Sequence, residues 1–246
     1  MGRLIILAGP SCVGKSPLDK AMVKFYPGIK NTLSNLVLYN SRKPRSGELD
    51  GVDYYFRSWD YINSLRNNEN YVVMEVRGDL QALDLQDLVS MLREGNVFFE
   101  GNPFIGYLLL NHEKLQSVSK VSAFMSPVSG EELEFFNRQT SEMSPEELIT
   151  DIMRRKLLRR TRKQKSEIGL KDLENIEKRA ASAYAELRFA HHFDYVIPNH
   201  DGEDSDNWEA FYYPVGEARK SLLCFIDIIE GRTPGFAETW SPDLVD

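Results

Sequence analysis

Apolar residues fall along this chain in short runs separated by longer amphipathic stretches, a pattern that predicts strands joined by helices. Leu4 to Ala8 is an unbroken apolar run of strand length. It is followed at once by a glycine-bearing turn and then by Leu18, Ala21, Met22 and Phe25 at helical spacing. Leu85, Leu88, Val89 and Leu92 share one face of another helix, which gives way through Glu94-Gly95-Asn96 to the compact run Val97-Phe98-Phe99. Val118 to Met125 and Tyr195-Val196-Ile197 are further strand candidates, each bounded by turn or proline signals, and Ala218 to Ile229 is a last amphipathic segment. Strands alternating with helices predict an α/β fold built on a parallel sheet.

Two segments break the alternation. Residues 35–85 are rich in charged and aromatic side chains, with turns marked by Pro44, Gly47 and Gly51, and read as a small β-rich insertion. Residues 130–190 read as helical, with a strong start at Ser144-Pro145-Glu146-Glu147: serine at the cap, proline at the first position, glutamate behind it. Within them Arg154 to Lys165 is dominated by Lys and Arg, and an acidic loop, Asp201 to Glu209, follows later. The chain contains no internal repeat.

Composition narrows the possibilities. With 246 residues, 42% hydrophobic and 27% charged, the chain is long enough for a real core and ordinary enough to exclude a disordered or fibrous protein. Lys and Arg total 30 against 37 Asp and Glu, a net charge of −7. A uniformly acidic surface repels nucleic acid and anionic lipid, so an anionic ligand must meet a local basic patch. Cys12 and Cys224 are too few and too far apart for a disulfide framework or a four-ligand zinc site, which favours a reducing, cytoplasmic setting. No apolar stretch approaches the ~20 residues needed to span a bilayer, so no membrane association is expected.

Gly9-Pro10-Ser11-Cys12-Val13-Gly14-Lys15-Ser16 satisfies G-x-x-x-x-G-K-[ST] and stands where that pattern works, after a strand and opening a helix. Its backbone amides and helix N-terminus attract phosphate, Lys15 reaches the β- and γ-phosphates, and the Ser16 hydroxyl can ligate Mg²⁺. ATP with Mg²⁺ is the expected ligand, and Gly9, Ser11, Cys12, Val13, Gly14, Lys15 and Ser16 are its candidate contacts. Cys12 occupies a position where glycine would be easier; it reads as a tolerated small side chain, the alternative being a redox-active thiol.

About 25 residues on comes Ser41-Arg42-Lys43-Pro44-Arg45-Ser46-Gly47-Glu48-Leu49-Asp50-Gly51-Val52-Asp53-Tyr54-Tyr55-Phe56. Read alone, two guanidinium forks three residues apart with a phenol nearby can hold a phosphate dianion. The segment closely resembles the S/T-R-x-P-R-x-G-E-x-x-G-x-D-Y-x-F signature of guanylate kinases, and the phosphate loop matches that family's form. Ile176-Glu177-Lys178-Arg179-Ala180, Ala185-Glu186-Leu187 and Phe193-Asp194-Tyr195-Val196-Ile197-Pro198-Asn199 are similar to its lid-exit helix and following strand. The resemblance covers roughly residues 1–200.

That resemblance implies a P-loop NTPase-type core from residues 1–34, 86–129 and 191–246, an acceptor-binding region at 35–85 and an enlarged helical lid at 130–190. It implies ATP-dependent phosphorylation of a nucleoside monophosphate, with Arg42, Arg45 and Tyr54 gripping the acceptor phosphate. Lid cations should cover the transferring group: Arg179 first, then the Arg159 to Arg162 cluster with Arg162 as its representative, out of a set that also holds Arg138, Arg154 and Arg155. Asn199 is placed with the ATP contacts. Glu100 stands at a strand end where the family shows a D-x-D-like pattern, beside Mg²⁺ and the acceptor; the other reading is a helix cap. His191 and His192 lack ligand spacing and read as structural.

The base-reading positions depart from the family. Val72 occupies the usual glutamate position, Gln81-Ala82-Leu83 stands for the Y-G-T/S triplet, and Leu38 replaces a serine or threonine. A shift of three would instead bring Glu75 to the acidic position. Gln81 and Glu75 are therefore the candidate base contacts, and GMP, the family's acceptor, is expected to be read weakly or replaced. The competing readings are a non-catalytic guanylate-kinase-like binding module, disfavoured by the intact Gly14-Lys15-Ser16, and a nucleic-acid-binding ATPase, disfavoured by net charge and by the lack of aromatic interleaving in the basic run.

Overall fold

The computed structural model describes residues 1–45, 47–138 and 143–245, so Ser46 of the arginine motif and residues 139–142 of the helical segment lie outside the described residues. In chain order its elements begin with β1 (Leu4–Ala8), α1 (Lys15–Phe25), α2 (Pro27–Lys30), β2 (Leu33–Asn35), β3 (Tyr39–Asn40), β4 (Tyr55–Phe56) and α3 (Trp59–Ser64). They continue with β5 (Tyr71–Val76), β6 (Asp79–Asp84), α4 (Leu85–Glu94), β7 (Asn96–Gly101), α5 (Pro103–Asn111) and β8 (Lys120–Ser126). The last are α6 (Gly130–Arg138), α7 (Pro145–Gln164), α8 (Leu170–Ala181), α9 (Ala183–Leu187), β9 (Tyr195–Pro198) and α10 (Gly216–Glu230).

The main sheet is parallel, in the order β2-β7-β1-β8-β9. Every residue of β1 is buried, and the adjacent Phe98 and Phe99 of β7 are both buried. Successive strand residues point to opposite faces, so both faces of the sheet are covered, which is why its strands read as continuous apolar runs. Phe98 meets Phe225 of α10 at 6.0 Å, while Phe124 of β8 meets Phe193 at 5.5 Å. A second, smaller sheet, β4-β3-β6-β5, carries residues of the arginine-motif segment. It rests on a separate cluster of Ile62, Leu80 and Ala82.

Local chemistry sets the helices. Ser144 and Glu147 form a reciprocal capping box at the start of α7, as the sequence predicts. Ile149, Met153, Lys156 and Leu157 form the buried stripe of that helix. α5, absent from the sequence reading, starts at Pro103 with the Asn102 side-chain oxygen accepting from the Phe104 amide at 2.8 Å. After α10 the chain returns to the sheet: Val196 of β9 and Glu238 exchange backbone hydrogen bonds of 2.8 and 2.7 Å. The Glu238 carboxylate accepts from the Gly130 amide at the start of α6 and from the Trp240 indole. Among the described residues no helix is long and apolar enough to cross a membrane.

Candidate active site

Parallel strands deliver their loops to the carboxyl edge of the sheet, and the loop from β1 into α1 opens there. Gly14 adopts φ 101° at the N-cap of α1, and Cys12 adopts φ 70°, a left-handed conformation costly for a non-glycine residue. Burial there favours the tolerated small side chain over the redox-active thiol. The thiol is fully buried, and burial, with the Glu203 carboxylate adding to it, pushes it up to about 12, so no thiolate forms near neutrality.

Lys15 is buried and donates to the carbonyls of Gly9 and Pro10, both at 2.8 Å. Burial lowers its pKa, against the opposing pull of Glu100 and Glu203. The Ser16 hydroxyl donates to Glu100 at 3.1 Å. Glu100 is half-buried, and although Lys15 acts against it, burial lifts the carboxyl to about 7. A carboxylate so short of countercharge, beside a hydroxyl and facing a phosphate cradle, is the hard-oxygen donor set that Mg²⁺ takes.

These groups line one cleft of about 380 Å³ together with the arginine motif. Arg42 is held on one side by Glu48, with bonds of 2.5 and 2.7 Å, and on the other by the rings of Tyr54 and Phe56 at 5.1 and 5.4 Å. Arg45 lines the same cleft, its pKa lowered by burial and then by Arg42, and the Tyr54 phenol is raised by burial. From the helical segment come Arg160 and Arg179. Arg179 donates to the Ser11 hydroxyl at 3.0 Å, and burial followed by the charges of Arg160, Arg45 and Arg77 drives its pKa well down. Cations this crowded seek an anion.

Not every candidate reaches the cleft. Arg162 is exposed on α7, because helical phase puts it half a turn from the Met153–Leu157 stripe, whereas Arg160 follows that stripe inward. Arg138, Arg154, Arg155 and Arg159 instead pair with Glu134, Glu177, Asp151 and Asp204. Glu75 is exposed, since strand alternation turns the neighbouring Val76 inward. Val72 pairs with Leu83, and both pack into the main core rather than lining the cleft. Val13 is buried, and its carbonyl, like that of Asp201, accepts from the Asn199 side-chain nitrogen at 2.8 and 2.7 Å; Asn199 props the phosphate loop from behind. The rings of His191 and His192 lie 3.9 Å apart and tilted, and among the described residues no group of three or more His, Cys, Asp or Glu is placed to hold a metal ion.

Gln81 does line the cleft, joined by residues that the sequence reading missed: Asp79, Asn102, Glu203 and Arg77. Arg77, at φ 57° in the β5–β6 turn, spans to Ser182 at 2.9 Å and to the buried Glu186 carboxylate. The Asn102 side-chain nitrogen is buried without a hydrogen-bond partner, its oxygen being committed to the start of α5. Strand alternation from Gln81 could have found Asp79; Glu203 carried no motif at all.

Known proteins resemble this chain in sequence and fold. The guanylate kinase family model matches residues 1–79. A guanylate kinase of Nitratidesulfovibrio vulgaris is 30% identical over 228 residues, 92% of this chain and 93% of the relative, and one of Rickettsia typhi is 28% identical over 204 residues, 81% and 84%. The crystal structure of guanylate kinase from Anaplasma phagocytophilum superposes with a TM-score of 0.52 at 17% identity, covering 94% of this chain and 85% of that one, and so carries the same fold. On the breadth of these matches, and with the phosphate loop and arginine motif facing one cleft, the chain belongs to the guanylate kinase family.

Proposed function

We propose that the chain transfers the γ-phosphate of ATP to a nucleoside monophosphate, with GMP the family's default acceptor but guanine read by an altered pocket. One observation carries the reading: the phosphate loop with Lys15 and the Arg42, Arg45 and Tyr54 clamp open on the same cleft. Donor phosphates on one side and an acceptor phosphate on the other would meet there, which is what in-line transfer needs. Ser16 and Glu100 would hold Mg²⁺, which when bound neutralises charge on the phosphates. Lys15 and the loop amides bind the donor, Arg42 and Arg45 orient the acceptor, and Arg160 and Arg179 cover the transferring group. Residues 35–85 and 130–190 act as two flaps over the core formed by 1–34, 86–129 and 191–246, shutting out water that would otherwise hydrolyse ATP. The Arg77 bridge to Ser182 and Glu186, which ties the small sheet to the helical side, supports that closure.

The base end of the cleft supports altered specificity. Guanine offers N–H donors that a carboxylate receives well. Here Val72 and Leu83 are packed into the core, while Gln81 and Asn102 line the cleft, the Asn102 side-chain nitrogen being buried without a partner. A panel of ribo- and deoxynucleoside monophosphates assayed for ATP-dependent diphosphate formation tests both halves of the reading. Transfer to at least one acceptor without GMP dominance is expected. No transfer to any acceptor overturns the kinase assignment, and GMP kcat/KM within ~10⁴–10⁸ M⁻¹s⁻¹ and far above every other acceptor overturns the altered pocket.

A further inference from the structure

The basic run on α7 and the acidic loop after β9 are the two most strongly charged features of the sequence, and they meet. Lys156 donates to the His200 carbonyl at 2.5 Å and lies 3.5 Å from Asp204. Arg160 meets Glu203 at 2.7 Å, Arg159 meets Asp204 at 3.6 Å, and Lys163 reaches the Asp204 carbonyl at 2.6 Å and the Asp206 carboxylate. The helix that looked suited to a polyanion is neutralised within the chain.

The loop is fixed from below. Asp201 accepts the amides of Glu217 and Ala218 at the start of α10, at 2.9 and 3.1 Å, and the side chains of Ser205 and Asn207 at 2.8 and 2.9 Å. Its carbonyl takes the Trp208 indole at 2.6 Å. Gly202 lies so close to the phosphate loop that a Cβ there would sit 2.0 Å from the Cys12 carbonyl oxygen. Only glycine permits that approach, and it leaves the next residue, Glu203, in the cleft itself.

We propose that Glu203 is a positioning residue for phosphoryl transfer: anchored on the core, its carboxylate docks the Arg160 guanidinium of α7 above the phosphate loop, and His200 to Asp206 form an acidic clasp that holds α7 closed. Arg160 is thereby delivered to the cleft by a group that travels with the core rather than with its own helix. Its neighbours Arg45 and Arg179 would otherwise repel it. Glu203 stays ionised in this role: burial acts against its charge, but Arg160, Lys15 and Arg179 outweigh it and lower its pKa. A clasp of this kind explains why the charge is split between two distant segments. Each half alone would be a liability, one a sink for polyanions and the other a repellent beside the phosphate site.

The proposal rests on the phosphoryl-transfer reading, so one arm of its test is independent of activity. In the full chain without nucleotide, a Glu203→Gln, Asp204→Asn variant should show faster hydrogen exchange across residues 145–164 than the parent; equal exchange overturns the clasp, whatever the enzyme phosphorylates. The other arm is kinetic. Glu203→Gln, which keeps the side chain's shape, should lower kcat roughly 10- to 100-fold while KM for ATP changes less than about threefold, the pattern of a misplaced group rather than a lost binding contact. Combined with Arg160→Ala it should cost little beyond Arg160→Ala alone, because both remove one device. Two results overturn the positioning role: losses that multiply in the double variant, or an intact kcat with tighter ATP binding, which would make Glu203 a competitor for the phosphate site.

Discussion

The two ends of the cleft are built in opposite ways. The proposed acceptor end is local: Arg42, its carboxylate partner Glu48 and its stacking ring Tyr54 lie within one short stretch and brace one another. The donor roof is remote: Arg160, Arg179 and Glu203 come from separate elements and meet only when the helical segment packs over the phosphate loop. The first needs only a turn to form, whereas the second needs the whole fold. Substitutions at the acceptor end should therefore change one substrate's binding, while those in the roof should change turnover.

The largest expected effect lies where the two ends meet. Lys15→Ala should reduce kcat by about 10²–10³-fold or more, since it removes the buried cation at the transferring phosphate. Near-normal turnover in that variant would refute the assignment of the loop. Next, Arg42→Ala should raise the acceptor's KM by about 10- to 100-fold, the equivalent of a charged hydrogen bond worth about 1.5–3 kcal/mol, with the KM for ATP nearly constant. An equal change in both constants would erase the distinction between the ends. Smaller again, Asn102→Asp keeps an oxygen to cap α5 but exchanges the buried, unpartnered donor of a cleft-lining residue for an acceptor. It should raise the preference for GMP over other monophosphates about tenfold, read as a ratio of kcat/KM values.

The smallest effect concerns pH. His200 sits between Glu217 at 2.8 Å and Glu132 at 2.9 Å; burial disfavours its charge, but the two carboxylates outweigh burial and raise its pKa. A cation stabilised in the folded state contributes fully below the unfolded value near 6.5 and is lost as pH rises through the folded pKa. The melting temperature of the parent should thus exceed that of His200→Gln at pH 6, and the gap should narrow by pH 8.5; a gap independent of pH would contradict the pairing.

The same contrast explains what could be read in advance. β1, β7, β8 and β9 and the helices α1, α4, α7 and α10 were visible as apolar runs and phases, because a buried parallel sheet and its covering helices leave those periods in the sequence. α5 escaped because a helix buried on several sides shows no clean stripe. Arg42 and Arg45 were legible as a proposed clamp because their spacing within one short turn places both on the cleft. Arg160 was visible only as one of a crowd, although its phase with Met153 and Leu157 marks it out from Arg162. Glu203 was not legible, because its place depends on Gly202 lying against the phosphate loop and on Asp201 capping a helix that follows it.

The return of the chain to β9 has a consequence for solution behaviour. β9 is the last strand of the main sheet, and without the bridge at Glu238 its outer edge would offer free amides and carbonyls to any passing strand, a template for edge-to-edge aggregation. The same glutamate caps α6, so sheet edge and helix start are sealed by a single residue. Truncation that removes the segment beyond Arg232 should strip that seal, and clumping of the shortened protein would then be a fault of the sheet's border rather than of the cleft.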